Sequence, residues 1–258
     1  MKKGLRIDRL SYAYSNAQIL SDISFDMGPG RLLGILGPNG SGKTTLLRCL
    51  SGFCRVEQGM ITLNGRDISA YSAKELSRSM ALVPQHALME FDFTVRDIVL
   101  MGRHPHHTLF EPDSQDDYKR VDAAMERTGI SLLADRSVLT LSGGEWQRTI
   151  ISRAICQQSD ILLLDEPVSN LDIRYQIEIL NLVRGLCRRE GVMAIAVLHD
   201  MNLASHYCDD LALIHNGAVF AYGRPEQVIT PERIRDVFGI NVRVREEYGR
   251  PFVIPEYY

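Results

Sequence analysis

Residues 37–44 read Gly37-Pro38-Asn39-Gly40-Ser41-Gly42-Lys43-Thr44. A strand-like apolar run at residues 32–36 precedes this stretch, and a helical pattern with Leu46 and Leu50 on one face follows it. This spacing of glycines, lysine and threonine between a strand and a helix is typical of a phosphate-binding loop. The glycines let successive backbone N–H groups turn towards phosphate oxygens at a helix N-terminus, whose dipole favours anions. We predict that Lys43 reaches the β- and γ-phosphates of a nucleotide and that the Thr44 hydroxyl binds Mg²⁺.

A second motif supplies the acidic groups that such a loop needs. Residues 161–164 form a short apolar run, typical of a strand buried on both faces, and Asp165 and Glu166 follow it directly. A carboxylate at the end of this strand can hold the Mg²⁺ shell, so we give that role to Asp165. Glu166 is then free to act as general base towards a water that attacks the γ-phosphate. The alternative, a carboxylate that caps a helix after a core strand, is disfavoured by the phosphate-binding loop.

A third motif, Leu-Ser-Gly-Gly-Glu at residues 141–145, comes directly before a predicted helix at residues 146–156. A serine and two glycines at a helix start offer N–H groups and the positive end of the helix dipole to an anion. One nucleotide needs one phosphate-binding loop. A second anion site therefore indicates that two copies of the chain face each other and that each completes the other's site. The simpler alternative is a flexible loop with a helix N-cap.

The rest of the pattern indicates an α/β protein. A helical pattern at residues 173–189 is followed by apolar runs at 192–198 and 211–214, and this alternation is typical of a parallel sheet covered by helices. The first 28 residues show the period-2 alternation of strands, whereas residues 86–140 are helical in pattern. Helix starts are predicted by capping boxes at Ser72, Thr94 and Ser114, and helix ends by Gly129 and Gly239.

Composition argues against several classes of protein. The chain has 258 residues, with 29 Lys and Arg against 32 Asp and Glu, so no strong basic field draws it to nucleic acid. The longest apolar run, residues 192–198, is far shorter than the about 20 residues of a membrane span. No secretory signal is visible at the start. The 5 cysteines are scattered without a CxxC pair, which favours reduced, mostly buried thiols in the cytosol over a disulfide framework or a zinc site.

Together these motifs resemble those of the ATP-binding subunits of ABC transporters. The resemblance covers about residues 5–240 and adds Gln85 after Val83-Pro84, the stretch Ser169-Asn170-Leu171-Asp172, and His199. It implies a P-loop NTPase core, with a mostly parallel sheet and an antiparallel β part, plus a helical subdomain. We therefore expect a single domain over residues 1–258, with its core at 1–85 and 160–258 and its helical subdomain at 86–159. This subdomain includes the third motif, residues 141–145, which corresponds to the family's signature motif.

The resemblance also implies ATP and Mg²⁺ as cofactors and a role for each motif residue. Gln85 would contact Mg²⁺ and the attacking water, His199 would contact the γ-phosphate, and both are expected to be catalytic together with Glu166. Either Tyr14 or its competitor Tyr12 would stack on adenine, and Asp172 would cross the interface between copies. The implied nucleotide-binding residues are Tyr14, Gly37, Pro38, Asn39, Gly40, Ser41, Gly42, Lys43, Thr44, Thr45, Ser142, Gly143, Gly144, Glu145 and Asp172, and the metal ligands are Thr44, Gln85 and Asp165. Glu145 stands where the family's signature commonly has glutamine, a frequent variant that we do not expect to impair ATP binding.

One further segment resembles a subfamily. Residues 100–106, Leu-Met-Gly-Arg-His-Pro-His, are similar to a Gly-Arg-x-Pro-His segment in the ATPases of iron-siderophore, haem and vitamin B12 importers. The histidines at 104, 106 and 107 also invite a metal-site interpretation, but the intervening proline and the lack of nearby Cys or carboxylate ligands disfavour it.

The function implied is that of an ATPase that powers import of a metal chelate, such as an iron-siderophore, haem or cobalamin. The expected partners are a second copy in an ATP-sandwich homodimer, separate transmembrane permease subunits and, indirectly, an extracytoplasmic substrate-binding protein, with no nucleic acid. The chain would lie peripherally at the cytoplasmic face of the membrane. The ATPase of an exporter or of an importer for another substrate, and a non-transport ABC ATPase, remain alternatives.

Overall fold

The computed structural model describes residues 4–85, 91–108, 111–169 and 171–256. Asn170 and two stretches of the predicted helical subdomain, 86–90 and 109–110, therefore lie outside the described residues. The strands are β1 (Leu5–Tyr14), β2 (Ala17–Met27), β3 (Leu32–Leu36), β4 (Ile61–Leu63), β5 (Arg66–Asp67), β6 (Met80–Val83), β7 (Ile161–Asp165), β8 (Met193–Val197), β9 (Asp210–His215), β10 (Ala218–Gly223), β11 (Val242–Glu247) and β12 (Arg250–Pro255). The α-helices are α1 (Lys43–Leu50), α2 (Ala73–Ser79), α3 (Val95–Leu100), α4 (Gln115–Arg127), α5 (Gly143–Cys156), α6 (Ile173–Glu190), α7 (Met201–Tyr207), α8 (Pro225–Val228) and α9 (Pro231–Phe238). Short 3₁₀ segments lie at Ile68–Ala70, Met101–His106, Ser131–Leu133 and Val138–Thr140.

A six-stranded sheet in the order β10-β9-β3-β8-β7-β6 forms the centre of the molecule. Its strands β9, β3, β8, β7 and β6 run parallel, and β10 is antiparallel at the edge. The predicted mostly parallel sheet is thus confirmed. The parallel strands are nearly continuous apolar runs because both faces of the sheet are covered.

The two faces of this sheet pack against different layers. On β7, Leu162 and Leu164 belong to a core shared with the helices α3 to α7, whereas Ile161 and Leu163 point to the opposite core. That opposite core contains α1 and a four-stranded antiparallel sheet in the order β2-β1-β4-β5. Period-2 alternation along each central strand therefore divides its side chains between two cores.

A β-bulge explains the irregular alternation of the first strand. Leu5 and Ile7 are buried and so is Leu10, so the buried face changes from odd to even positions within β1. The register against β2 shifts between Ile7 and Leu10, where Arg9 has a positive φ of 49°. An extra residue in one strand moves later side chains to the other face, which keeps Leu10 in the core.

The helix starts follow local capping chemistry. Capping boxes are present at Ser72, Thr94 and Ser114, as predicted. Gly239 ends α9 with a positive φ of 70°, again as predicted. The third motif behaves differently from the prediction: α5 begins at Gly143 rather than at residue 146, because Ser142 is itself the N-cap of a fourth capping box.

The cysteines and the apolar segments have the environments that the sequence predicts. All five cysteines are buried and unpaired. Among the helices that the structure describes, none combines the length and the apolar character that a bilayer span requires.

The segment at residues 102–106 is fixed to the end of α5. A Cβ on Gly102 would lie 2.4 Å from the backbone oxygen of Arg153, so a glycine is needed for this close approach. Arg103 is 6% exposed and donates to Asp117 at 3.0 Å and to the carbonyl of Cys156 at 2.9 Å. This buried ion pair joins the 3₁₀ segment, α4 and α5.

The same network accounts for two of the three histidines. The His107 Nε2 lies 3.1 Å from Asp117 Oδ2, and the His106 Nε2 lies 2.8 Å from the carbonyl of Gln157. Burial acts to raise the pKa of Asp117, but hydrogen bonds from Ser114, Arg103 and His107 outweigh it and hold that pKa well below its usual value. These imidazoles are engaged in structural contacts.

Replacing Arg103 with Met should lower the free energy of unfolding by about 3 kcal/mol, because the buried Asp117 carboxylate loses its main counter-charge. Urea denaturation measures the change. The matched control is Arg174→Met, which removes an exposed pair with Glu178 (2.9 Å, side chains 79% and 48% exposed) and should cost about 0.5 kcal/mol or less. Equal losses in the two variants would contradict the structural role given to Arg103.

Candidate functional site

The parallel pairing brings four loops to one edge of the central sheet. Ile35 of β3 pairs with Val197 of β8, and Val197 pairs with Asp165 of β7. Strand β6 ends at nearly the same level, since its Val83 pairs with Leu164 of β7. The segments that follow these strands therefore emerge side by side at the carboxyl edge, where open α/β sheets bind ligands.

The loop after β3 wraps around its own lysine. The Lys43 Nζ donates to the carbonyls of Gly37 at 2.9 Å and Pro38 at 2.8 Å. Lys43 is 6% exposed, and burial lowers the pKa of its ammonium, while Glu166 and Asp165 act in the opposite direction. The ammonium is thus held at the base of the loop by groups that a phosphate oxygen can replace.

The remaining loop residues occupy positions suited to an anion. Asn39 and Gly40 are exposed at the turn, and Thr45 lies partly exposed in the first turn of α1. Gly42 is the left-handed N-cap of α1, with a φ of 101° and no side-chain cap, so the first N–H groups of this helix are not capped by a side chain. The Ser41 Oγ is buried and has no hydrogen-bond partner within the described chain.

The helix start of α1 is linked to the end of β7. The Thr44 Oγ1 donates to Asp165 Oδ1 at 3.2 Å. Burial raises the pKa of Asp165, and the hydrogen bond from Thr44 opposes that rise. A hydroxyl and a carboxylate at this separation provide the hard oxygen ligands that Mg²⁺ prefers.

Glu166 and His199 meet at the same edge. The His199 Nε2 lies 2.6 Å from Glu166 Oε1, although the two residues follow different strands. Glu166 has a positive φ of 53°, which is uncommon for a residue with a side chain and costs backbone energy. This φ sets the backbone of Glu166 apart from that of Asp165, the last residue of β7.

Gln85 occupies the corresponding position after β6. It lies two residues beyond Val83, partly exposed, at the carboxyl edge shared with Asp165. The topology thus brings Gln85 to the same side of the sheet as the other candidates.

The two tyrosines at the end of β1 differ in environment. Tyr14 is 41% exposed, whereas Tyr12 packs partly buried against the core, and their rings meet edge to face at 5.1 Å. The Tyr14 hydroxyl lies 3.4 Å from the Cys54 Sγ. Proximity to Cys54 raises the pKa of Tyr12 to about 12. The exposed ring of Tyr14 is the better surface for stacking a base.

The signature segment forms a separate anion-facing helix start. Ser142 Oγ accepts from the Glu145 N–H at 3.3 Å, and Glu145 Oε2 accepts from the Ser142 N–H at 2.8 Å. A Cβ on Gly143 would meet nothing within 4 Å, so this turn of the helix is open. Hydrogen bonds from Ser142, supported by Arg136 and Arg148, lower the pKa of Glu145.

Asp172 lies beside the signature rather than beside the phosphate-binding loop. It is the N-cap of α6 and makes no side-chain capping bond. A cavity of about 310 Å³ is lined by Ser142, Gly144, Glu145, Arg148, Leu171, Asp172 and Tyr175. No residue of the loop at 37–44 lines this cavity, so the two anion-facing surfaces are distinct.

The donor set fits a magnesium nucleotide. The orphaned Ser41 hydroxyl, the uncapped start of α1 and the open space around Gly40 form a cradle for phosphate oxygens. Thr44 and Asp165 supply the oxygen ligands for the cation.

The sequence predicted these residues, but it did not predict the contacts of Arg136 and Arg148 with the signature. The capping box at Ser142 was also missed, although the Ser-x-x-Glu spacing was an available signal.

Comparison with known proteins identifies related chains. The family described as ABC transporter matches residues 20–169. The cobalamin import ATP-binding protein BtuD of Halobacterium salinarum is 43% identical over 240 residues, which are 93% of this chain and 60% of that protein. The ferric enterobactin transport ATP-binding protein FepC of Escherichia coli is 38% identical, over 97% of this chain and 93% of that protein.

Two further comparisons cover nearly the full length of both chains. The hemin import ATP-binding protein HmuV of Rhodopseudomonas palustris is 37% identical, over 99% of this chain and 98% of that protein. A chain of an ABC transporter assigned to the metal-chelate type, in an inward-facing conformation, has a TM-score of 0.85 and 30% identity, over 99% of this chain and 98% of that chain. The chain spans about 60% of the length of the BtuD relative.

Replacing Gly37 with Ala should weaken nucleotide binding by about 10-fold or more, because the added Cβ would lie 2.2 Å from the backbone oxygen of Ile214 and displace the loop. Calorimetric titration with nucleotide measures the change. The control is Gly191→Ala, where φ is +73° but nothing lies within 4 Å of the new Cβ. It should cost about 1 kcal/mol of stability and leave nucleotide affinity unchanged. Unaltered affinity in Gly37→Ala would contradict the proposed cradle.

Proposed function

Because this chain belongs to the ABC transporter family, we propose that it is the ATP-hydrolysing subunit of an importer for a metal chelate. The main observation for this proposal is that two pairs of interacting side chains lie at one edge of the central sheet. Thr44 contacts Asp165 at 3.2 Å, and Glu166 contacts His199 at 2.6 Å. The first pair suits a metal-bound phosphate, and the second suits activation of a water.

Nucleotide binding would use the loop and its neighbours. Backbone N–H groups of the loop and the Lys43 ammonium would hold the β- and γ-phosphates, and Tyr14 would stack on adenine. Thr44, Asp165 and Gln85 would hold Mg²⁺, which when bound neutralises phosphate charge. A phosphate oxygen would replace the carbonyls of Gly37 and Pro38 as the partner of Lys43.

Hydrolysis would depend on Glu166 as general base. Its Oε1 is engaged by His199, and no donor among the described residues contacts Oε2, which would accept a proton from the attacking water. His199 would keep the base in position while it contacts the γ-phosphate.

Two copies would complete two sites. The cavity beside Ser142 contains no residue of the phosphate-binding loop, so the signature of one copy has no phosphate from its own loop to contact. A head-to-tail dimer would place Ser142 of one copy opposite Lys43 of the other, with Asp172 near the interface. This arrangement gives the second helix N-terminus a ligand.

The substrate class and the remaining partners follow the relatives. Two of their names describe import of cobalamin and of hemin, and a third describes transport of ferric enterobactin; all three ligands are metal chelates. The buried Arg103–Asp117 pair gives a structural reason for the Gly-Arg-x-Pro-His segment that suggested this subfamily. We propose separate permease subunits and an extracytoplasmic binding protein as partners, a peripheral position at the cytoplasmic face, and the division into a core (1–85 and 160–258) and a helical subdomain (86–159).

The shared-site dimer is tested by mixing two inactive variants, Lys43→Ala and Ser142→Arg. Lys43→Ala removes the ammonium that binds phosphate, and Ser142→Arg places a bulky cation in the partner's phosphate site. A mixed dimer then has one site with both lesions and one site with neither. Steady-state ATPase activity should return on mixing, provided that one intact site suffices for turnover. Activity that stays flat at every ratio, with mixed dimers shown to form, would remove the shared-site arrangement.

Metal-chelate import is tested in cells that lack this gene. Uptake of a radiolabelled iron-siderophore, haem or cobalamin should fall for one of these chelates and be restored by the wild-type chain. Glu166→Gln should not restore it, because the general base is lost while the phosphate cradle remains. The purified Glu166→Gln protein should still bind ATP with unchanged affinity. Normal uptake of all three chelates in the deletion strain would count against this substrate class.

A further inference from the structure

The C-terminal hairpin of β11 and β12 is attached to α7 by a set of side chain-to-backbone hydrogen bonds. The Asn202 side chain accepts from the Val253 N–H at 2.7 Å and donates to the Val253 carbonyl at 3.2 Å. Ser205 Oγ donates to the carbonyl of Pro251 at 2.6 Å. One amide side chain thus bonds to both backbone groups of Val253, and the hydroxyl of Ser205, a residue that is 1% exposed, bonds to Pro251.

The geometry of α7 and of β12 explains why these side chains reach these backbone groups. Asn202 and Ser205 are three residues apart, so they lie on the same face of α7. Pro251 and Val253 are two residues apart in β12, so their backbone groups point to the same edge of the two-stranded sheet. On the edge of β12 that β11 does not cover, polar side chains of α7 therefore supply the hydrogen bonds that buried backbone groups require.

The helix held in this way begins directly after the proposed active-site histidine. His199 is followed by Asp200, which caps α7 by accepting from the N–H groups of Asn202 and Leu203 at 2.7 and 2.8 Å. On the other side, the Leu198 N–H donates to the carbonyl of Ile35 at 3.1 Å. His199 thus lies between the sheet and α7.

Packing does not fix the His199 ring. Its side chain is 45% exposed, and the contact that the structure gives it is the 2.6 Å approach to Glu166. The position of this imidazole depends on the backbone that carries it. One end of that backbone belongs to the sheet, and the other end belongs to a seven-residue helix that rests on the hairpin.

We propose that the C-terminal hairpin is a positioning element for His199, and that Asn202 is the residue through which it acts. By holding α7 on β12, Asn202 keeps the His199 imidazole in contact with Glu166. This inference rests on the proposed ATPase function, in which Glu166 is the base. Asn202 touches neither Glu166 nor the phosphate-binding loop, so it is a positioning residue.

The test uses the full-length purified chain and separates turnover from binding. Asn202→Ala should lower kcat for ATP by roughly 10-fold, because both bonds to Val253 are lost, while KM and nucleotide affinity change less than about twofold. Asn202→Asp retains the acceptor for the Val253 N–H and should lose less. Ser205→Ala should lower kcat in the same direction. Wild-type kcat in Asn202→Ala would overturn the proposal.

The matched control is Arg243→Gln, which removes a 3.0 Å ion pair with Glu256 from β11, the strand that does not bond to α7. Its kcat should remain that of the wild type. A double-mutant cycle with His199→Ala then asks whether Asn202 acts through His199. Asn202→Ala should have no further effect in the His199→Ala background, and independent, multiplicative losses would overturn the proposal.

A readout that needs no turnover keeps the two proposals distinguishable. In histidine-selective ¹⁵N NMR, the His199 signal is identified by its absence in His199→Ala. This signal should shift in Asn202→Ala and stay in place in Arg243→Gln, and an unshifted signal in Asn202→Ala would overturn the positioning role. A wild-type chain without ATPase activity would instead contradict the proposed function, while the NMR comparison would still decide the role of Asn202.

Discussion

The site depends on the register of the parallel strands, which makes β3, β8 and β7 end at the same level of the sheet. Ile35, Val197 and Asp165 are consecutive partners across three strands. Hydrogen bonds in a parallel ladder fix this register, and a shift by one residue would turn every core side chain to the other face. Because both faces of the sheet are buried, a shifted strand would have to repack its side chains against both cores. The positions of Lys43, Asp165, Glu166 and His199 therefore follow from the packing of the strands that precede them.

Burial at this edge makes the charge balance of the site sensitive to a ligand. Burial lowers the pKa of Lys43 and raises the pKa of Asp165, so it opposes the charged form of each. The carboxylates of Asp165 and Glu166 support the Lys43 ammonium, and Thr44 supports the Asp165 carboxylate. A phosphate would add negative charge beside Lys43, and a divalent cation would add positive charge beside Asp165. Each would therefore favour the ionised state that burial disfavours, which makes the two ligands mutually supportive.

Sequence reasoning succeeded where the determinants are local. The loop at 37–44, the acids after β7 and three capping boxes depend on residues close in the chain, and the structure has the predicted strand, turn or helix at each. It was less complete where distant residues decide. The β11–β12 hairpin was not predicted, and its attachment joins residues 51 apart in the chain, Asn202 and Val253. The start of α5 was placed three residues late, although the capping box at Ser142 was visible in the sequence. The contact between Glu166 and His199 needed the sheet order, which no local pattern contains.

The two anion-facing helix starts differ in a way that favours cooperation between copies. The loop at 37–44 offers a buried ammonium, whereas the signature offers no lysine and carries the Glu145 carboxylate. Arg136 lies 3.5 Å from Glu145, and the Ser142 N–H occupies its other oxygen, so this negative charge is compensated within the segment. What remains for an anion at Ser142 is backbone N–H groups and the helix dipole, which are weak ligands for an isolated, fully charged phosphate. In the proposed dimer they would suit a phosphate whose charge Lys43 and a metal ion on the facing copy neutralise. In the proposed dimer, glutamate could thus replace glutamine in this signature, because either side chain accepts the capping bond from Ser142 and the nucleotide charge would be balanced in the other half of the site.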